Sequence, residues 1–307
     1  MRRYAPRRRA ATGGARVQTR TLVSQAQLAR PLGRTVYWIA FWTLIVLFAL
    51  VFLFPLYWML SGGLKSAQEI IRTPPTIVPA SADAANYGAA WQDADLGRLI
   101  TNTAIYAFGA LGFQLVFDVA AAYSLSKLRP VFGRTVLFAM LATLMIPTTV
   151  IALPAYLTAN NLPFLHWSLL NSPWAIWLPS VANAFNVFLL KRFFDSIPAE
   201  LLAAAAIDGA GPLRTLRSVV LPISRPILGV VSIFAVIGVW KDLLWPLLVL
   251  TDTSKQTINV GLRQLSVGLP ENVLIAALAI ASVPTIIIFL IFQRNIMAGL
   301  TAGAMKG

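Results

Sequence analysis

Six stretches of this sequence are apolar over about the length that a helix needs to cross the hydrocarbon core of a bilayer, roughly 20 residues. They are 36–60, 102–125, 136–157, 173–190, 226–250 and 273–292. In water such runs must be hidden under polar surface, and the chain has little to hide them with. Of its 307 residues 58% are hydrophobic and 12% charged, whereas soluble domains average about 45–50% apolar and about 25% charged. A single water-exposed globule is excluded, and with it a soluble enzyme. The expectation is an all-α integral membrane protein with six transmembrane helices. Lys191 and Arg192, at the end of the short fourth stretch, extend its reach to the interface. Pro147, Pro154 and Pro179 predict kinks or breaks in the third and fourth stretches. Broken helices at membrane depth are tolerated where they line a cavity.

Basic residues orient such a bundle, because Lys and Arg are retained on the cytoplasmic side. With the N-terminus inside, 19 of them fall on inner segments and five on outer ones, namely Lys65, Arg72, Arg98, Lys255 and Arg263. Both termini are therefore placed in the cytoplasm. The formal charge of +14 reads as topology and not as a nucleic-acid footprint. Residues 1–35, rich in Arg and without apolar periodicity, are expected to be a disordered cytoplasmic tail. The first apolar stretch is far longer than the roughly 7–15 residues of a signal-peptide core, so it is read as an uncleaved anchor. Residues 36–98 then form the first transmembrane helix and an external loop, with a short interfacial helix near 87–95. Residues 99–294 form the transmembrane core, and 295–307 a cytoplasmic C-terminal tail.

Several chemistries are absent. There is no cysteine and a single histidine, His166, read as a surface residue on an outer loop. Disulfides, thiolate nucleophiles and clustered-His metal sites are thereby removed. No phosphate-cradling G-x-x-x-x-G-K-[ST] loop occurs, nor any G-x-S-x-G or H-E-x-x-H motif. No catalytic residue, metal or cofactor is expected.

One cytoplasmic loop, 195–222, is long and composed like structure. Ser196 is expected to N-cap a helix, with Pro198 in its first turn and Glu200 matched to the positive end of the helix dipole. Residues 201–207 include four consecutive alanines and have high helix propensity. Asp208-Gly209-Ala210-Gly211-Pro212 stops that helix, both glycines permitting the turn, and a second short helix is expected over 213–221, closed by Pro222. An alanine rod is thin enough for another backbone to approach closely. It either packs beneath the bundle or protrudes into a groove on a cytoplasmic partner.

The spacing Ala203-Ala204-Ala205, three residues, Gly209, nine residues, Val219, one residue, Leu221-Pro222 resembles the Glu-Ala-Ala loop of inner-membrane permeases of binding-protein-dependent ABC importers. Three further stretches resemble the carbohydrate branch of that family, the maltose-transporter type. They are Ile207-Asp208-Gly209-Ala210, Trp240-Lys241-Asp242-Leu243-Leu244-Trp245-Pro246, and Gly299-Leu300-Thr301-Ala302-Gly303-Ala304-Met305-Lys306-Gly307. The resemblance runs from about Asn102 to the C-terminus. It implies the type-1 ABC permease fold, with a cytoplasmic coupling helix between spans 4 and 5. It also implies a non-catalytic, multi-pass subunit of a prokaryotic plasma membrane, with ATP hydrolysed on separate polypeptides. The implied partners are a second permease in a heterodimer, two cytoplasmic ABC ATPase subunits and an extracytoplasmic solute-binding protein. The implied solute is a sugar or oligosaccharide. A polyol or glycerol-phosphate-type solute is the alternative within the class, and a gradient-driven secondary transporter the alternative outside it.

The resemblance assigns Ala203, Ala204, Ala205, Asp208, Gly209, Leu221 and Pro222 to ATPase coupling, and Glu200 is added to them as an expected substitute. The chain departs from the motif at two of its positions: the motif's Glu is Ala203 here, and its Ile is Val219. Glu200 lies three residues before Ala203, on nearly the same helix face, and is expected to stand in for the lost carboxylate. Lys241 stands where many relatives carry Asn.

Polar groups inside the spans mark a second candidate region. A charge at the bilayer centre costs roughly 2.5–3.5 kcal/mol on insertion scales, so Asp118, Lys241 and Asp242 must face protein or a water-filled cavity. Lys241 and Asp242 are adjacent, about 100° apart on a helix, and each needs another partner. They either clamp helices together or wall the translocation path, where Trp240 and Trp245 offer faces for sugar rings. Asn183 and Asn186 either join helices by hydrogen bonds or line the same path. The path candidates are thus Asn183, Asn186, Trp240, Lys241, Asp242 and Trp245. A gradient-driven carrier would need more buried acids than Asp118 and Asp242 to relay protons or sodium.

Overall fold

The computed structural model describes residues 31–304, and side chains over 31–293. The expected basic tail lies almost wholly outside the described residues. So do the side chains of the C-terminal motif that begins at Gly299. The backbone there continues the last helix to Ala304. No strand occurs among the described residues.

The chain divides into two compact units, Met1–Pro55 and Leu56–Gly307. The described part of the first unit belongs to helix α1, Pro31–Gly62. Every residue from 38 to 55 is exposed, and nearly all of them are apolar. A helix that is apolar all round and exposed over this length has the length and composition of a membrane span.

The second unit is built from α2 (Ala85–Asp93), α3 (Leu96–Tyr123), α4 (Gly133–Thr143), α5 (Thr148–Asn160), α6 (Trp174–Ser180) and α7 (Ala184–Asp195). There follow α8 (Ala199–Ile207), α9 (Pro212–Ile223), α10 (Arg225–Lys241), α11 (Leu244–Val249), α12 (Ile258–Leu265) and α13 (Glu271–Ala304). Helix α2 lies two residues upstream of the interfacial helix expected at 87–95.

Among the described residues three helices are long and apolar enough to cross a membrane unbroken: α1, Leu96–Leu128 and Glu271–Gln293. The remaining apolar stretches are interrupted, and each interruption has a cause. The third is a pair, α4 and α5, bent by 104°. Pro147 stands immediately before α5 in an extended conformation (φ −58°, ψ 132°), where it has no N–H to give and disfavours helix in the residue before it. The fourth is split into α6 and α7, with Pro179 inside α6. The fifth stops at Lys241, because Asp242 turns extended (φ −68°, ψ 131°) and α11 starts afresh. A further bend of 84° joins α9 to α10.

The scaffold is α3, which packs along α10, α7 and α6, while α13 packs along α10 and also meets α3. Three apolar clusters follow α3 down its length, the first around Leu96 and Leu99. Tyr106, Ala110, Ile176, Val236, Trp240 and Val249 form the second, and Val119, Tyr123, Val187, Leu190, Phe194 and Val231 the third. Gly109 makes the α3–α6 contact possible, since a Cβ there would stand 2.3 Å from the Trp177 ring. The first turns of α3 also tie down the segment before α12. Asn102 donates to the carbonyls of Ser254 (2.9 Å) and Gln256 (3.1 Å), the Tyr106 hydroxyl donates to Lys255 O (2.7 Å), and the Ile258 N–H donates to Thr103 Oγ1 (2.9 Å).

Candidate functional site

Where the spans break, a cavity of about 820 Å³ opens between α5, α6, α10 and α11. Its polar wall includes Gln114, Thr148, Ser180, Asn183, Lys241 and Asp242, with Trp245 and Phe234 among the aromatic and apolar lining. Of the six path candidates, four meet here: Asn183, Lys241, Asp242 and Trp245. Trp240 and Asn186 do not. Trp240 is 5% exposed and belongs to the apolar core with Tyr106 and Ile176. Asn186 is buried and donates through Nδ2 to Gln114 Oε1 at 3.2 Å, joining α7 to α3.

Two of the breaks, α6/α7 and α10/α11, are held by side chains that satisfy the backbone groups they free. Pro179 cannot donate to the carbonyl four residues earlier, Ala175 O, and the indole N–H of Trp245 takes that carbonyl at 2.8 Å. Where α10 ends, Asn259 Nδ2 donates to Trp240 O (2.8 Å) and Asp242 O (3.4 Å). The Asp242 carboxylate accepts from the Trp245 N–H at 3.5 Å, at the positive start of α11. At the start of α7, Asn183 Oδ1 accepts from the Asn186 N–H (3.1 Å), while the Asn183 N–H donates to Asp118 Oδ1 (2.9 Å). Asp118 is fully buried, and its Oδ2 has no hydrogen-bond partner. Asp118 and Asp242 thus serve the starts of two broken-helix segments.

The second region is α8 and its surroundings. Glu200, Leu201, Ala203, Ala204, Ala206, Ile207 and Asp208 are exposed, and Ala205 alone is buried. The rod therefore stands out from the bundle on one narrow line of contact. Glu200 and Ala203 are both on its open surface, and Glu200 makes no ion pair among the described residues. Leu221 is half-buried and Pro222 exposed.

Three local expectations are corrected. Ser196 does not cap α8: its Oγ donates back to Phe193 O at 2.7 Å, and Pro198 precedes the helix without a capping bond. Pro222 does not close the second helix, which runs on to Ile223 with a π-helical stretch over Leu216–Val220. Only one of the two glycines needs to be glycine for its backbone, Gly209 at φ +72°, whereas Gly211 has an ordinary φ of −68°. The Gly209 and Ala210 N–H groups close the end of α8 on Ala206 O (3.0 Å) and Ala205 O (2.9 Å).

The approach to α8 and the turn into α9 are both held to the end of α3. Ser126 Oγ donates to Asp195 Oδ1 (2.7 Å), Lys127 Nζ donates to Ile197 O (3.4 Å), and the Tyr123 hydroxyl donates to Pro212 O (3.0 Å). Lys191 pairs with Asp195 at 2.7 Å. Burial raises the Asp195 carboxyl, but the hydrogen bonds from Lys191 and Ser126 and the charges of Lys191 and Lys127 outweigh it and leave it below the ordinary carboxylate range. Sequence reasoning missed Asn259, Gln114, Ser126 and Tyr123. Only their packing partners give them roles, and no spacing in the chain connects them to those partners. Among the described residues no three His, Cys, Asp or Glu side chains gather as a metal site.

Comparison with known proteins adds the family context. Residues 114–301 match the model of the binding-protein-dependent transport system inner membrane component. The chain is 30% identical to the diacetylchitobiose uptake system permease protein NgcG of Streptomyces coelicolor, over 86% of this chain and 87% of that protein. It is 32% identical to the sulfoquinovosyl glycerol transport system permease protein SmoH of Agrobacterium fabrum (83% and 89%). It is 30% identical to the sn-glycerol-3-phosphate transport system permease protein UgpE of Rhizobium meliloti (84% and 93%). A crystal structure of a bacterial ABC transporter involved in import of the acidic polysaccharide alginate contains a chain that superposes with a TM-score of 0.75 at 25% identity, covering 90% of this chain and 99% of that one.

Proposed function

Because this chain belongs to the family of binding-protein-dependent transport system inner membrane components, we propose that it moves a sugar or oligosaccharide through the cavity between α5, α6, α10 and α11. The premise carries the coarser facts. The chain is a multi-pass permease subunit of an ABC importer in the inner membrane, has the helical type-1 permease fold, and leaves ATP hydrolysis to a separate subunit. A partner permease, an ATPase and a solute-binding protein are the general company of that family.

The carbohydrate reading rests on one observation: a roomy wall at the span breaks that offers Gln114, Ser180, Asn183 and Asp242 beside Trp245. Sugars are recognised by that combination, amide, hydroxyl and carboxylate groups for their hydroxyls and an aromatic face for the ring. The named relatives handle a chito-disaccharide, a glycosyl glycerol and a glycerol phosphate, all polyhydroxy compounds.

In the proposed arrangement the six spans are α1, α3, α4 with α5, α6 with α7, α10 with α11, and α13. Both termini face the cytoplasm, and this subunit pairs with a different permease over two ATPase copies. The divisions at residues 36, 99 and 295 follow from that arrangement. Helix α8 is the coupling helix: Glu200, Ala203, Ala204, Asp208 and Gly209 meet the ATPase, Ala205 seats the rod, and Leu221 and Pro222 carry its return. Glu200 supplies the carboxylate that Ala203 lacks. Closure of the ATPase pair displaces α8. The joints at Ser126, Tyr123 and Lys127 pass that displacement to α3, and the rigid spans rock about the cavity.

Purifying the tagged chain from its own membrane and identifying what accompanies it tests the reading. The expected companions are a second permease, an ABC ATPase and a binding protein that takes up one member of a carbohydrate panel. A binding protein that retains only amino acids, peptides or metal ions overturns the carbohydrate assignment.

A further inference from the structure

The cavity wall carries two charged side chains, Lys241 and Asp242, and only the carboxylate has a side-chain hydrogen bond among the described residues. The Asp242 carboxylate is committed to the start of α11, where it accepts from the Trp245 N–H. Lys241, at the last turn of α10, is exposed and has no hydrogen bond or ion pair among the described residues. A lysine at a helix end ordinarily serves the terminal carbonyls. Here the carbonyls of Trp240 and Asp242 are taken by Asn259, so the ammonium is not needed for that purpose. The polar neighbours that line the same wall, Gln114, Thr148, Ser180 and Asn183, carry no charge.

We propose that Lys241 is a specificity residue for an oxyanion on the solute, so that the chain moves an acidic sugar or polyol, one bearing a phosphate, sulfonate or carboxylate group. This rests on the reading above that the cavity belongs to the solute path. An unpaired ammonium at membrane depth is held at a cost, and a solute that arrives with a negative group relieves that cost at the moment it enters. A neutral sugar of the same skeleton leaves the ammonium unpaired. The hydroxyl-binding wall serves both solutes alike, and the charge alone separates them.

The test uses the complete importer in lipid nanodiscs, without the binding protein, so that the permease's own preference is read. Equilibrium dialysis compares three matched pairs: sn-glycerol 3-phosphate with glycerol, a uronate disaccharide with its neutral counterpart, and a sulfonated glycosyl glycerol with the unsulfonated one. At least one acidic member is expected to bind more tightly than its neutral partner. Lys241→Gln lowers that ratio about tenfold or more, the scale of one charge-assisted hydrogen bond. Lys241→Arg retains most of it, and raising the salt concentration lowers it. Equal binding of every pair, or a ratio that Lys241→Gln leaves unchanged, overturns the proposal while leaving the carbohydrate reading in place. Loss of the partner permease from the Lys241→Gln complex, with Lys241→Arg intact, also overturns it, because the lysine is then a clasp between subunits. Binding of none of the six compounds defeats both readings.

Discussion

Gly209 holds φ +72°, in the left-handed region, and nothing lies within 4 Å of where its Cβ would stand. Substitution there therefore meets backbone strain and no steric clash. Gly209→Ala is expected to destabilise the α8–α9 turn by about 1 kcal/mol and to weaken ATPase docking. Gly211→Ala, at φ −68°, is expected to leave both within error. Thermal unfolding and ATPase co-purification of the two variants check this, and equal effects would contradict it. In the segment before α2 the Glu69 carboxyl is held below the ordinary carboxylate range. The Thr76 hydroxyl donates to it at 2.6 Å and the Ala80 N–H at 3.0 Å, with Lys65 and Arg72 nearby, against a smaller upward push from burial. A lowered folded-state value means that this contribution is complete above the unfolded value of about 4.3 and is lost as pH falls through the lower folded value. Amide exchange at Ala80 should accelerate only at pH below that range in the native chain, and Glu69→Gln should remove the pH dependence. An unaltered profile in the variant would show that the carboxylate does not hold the loop.

At the scale of elements, most of the bundle could be read from the chain because crossing a membrane demands only apolar length. The breaks were legible where a proline makes them, as at Pro147 and Pro179. The break after Lys241 was not, because it depends on Asn259 reaching back to Trp240 O from another helix. Ser196 misled for a local reason: its hydroxyl returns to the preceding helix and so cannot cap the next one. The alanine rod was recognisable from composition. That it stands free of the bundle was not, since four alanines suit a buried helix equally well. Close packing between elements gives a sharp test. Gly109→Ala places a methyl 2.3 Å from Trp177 and should destabilise the α3–α6 contact by about 1–3 kcal/mol. Gly112→Ala, with nothing within 4 Å, should be neutral or slightly stabilising. Thermal unfolding in lipid nanodiscs distinguishes them, and a neutral Gly109→Ala would mean that α6 has room to move.

At the scale of the whole molecule, transport depends on force passing from an ATPase to the spans. In the proposed mechanism that path runs through α8, the joint of Asp195 with Ser126 and Lys191, and the adjoining end of α3. Asp195→Ala removes an exposed ion pair with Lys191 and leaves the buried Ser126 hydroxyl without its carboxylate acceptor, so stability should fall by about 1–3 kcal/mol. Coupling should suffer more, with ATP consumed per solute imported rising severalfold in proteoliposomes. An unchanged ratio would place the force path elsewhere. The contact surface itself can be probed cleanly because the chain contains no cysteine. In the reconstituted importer a cysteine introduced by Ala204→Cys, on the exposed side of α8, should crosslink to the ATPase subunit. That bond should stop ATP-driven uptake until it is reduced, and Val267→Cys, 93% exposed on a different loop, should do neither. An Ala204→Cys chain that captures no ATPase, or that imports solute undiminished with the crosslink in place, would contradict the account.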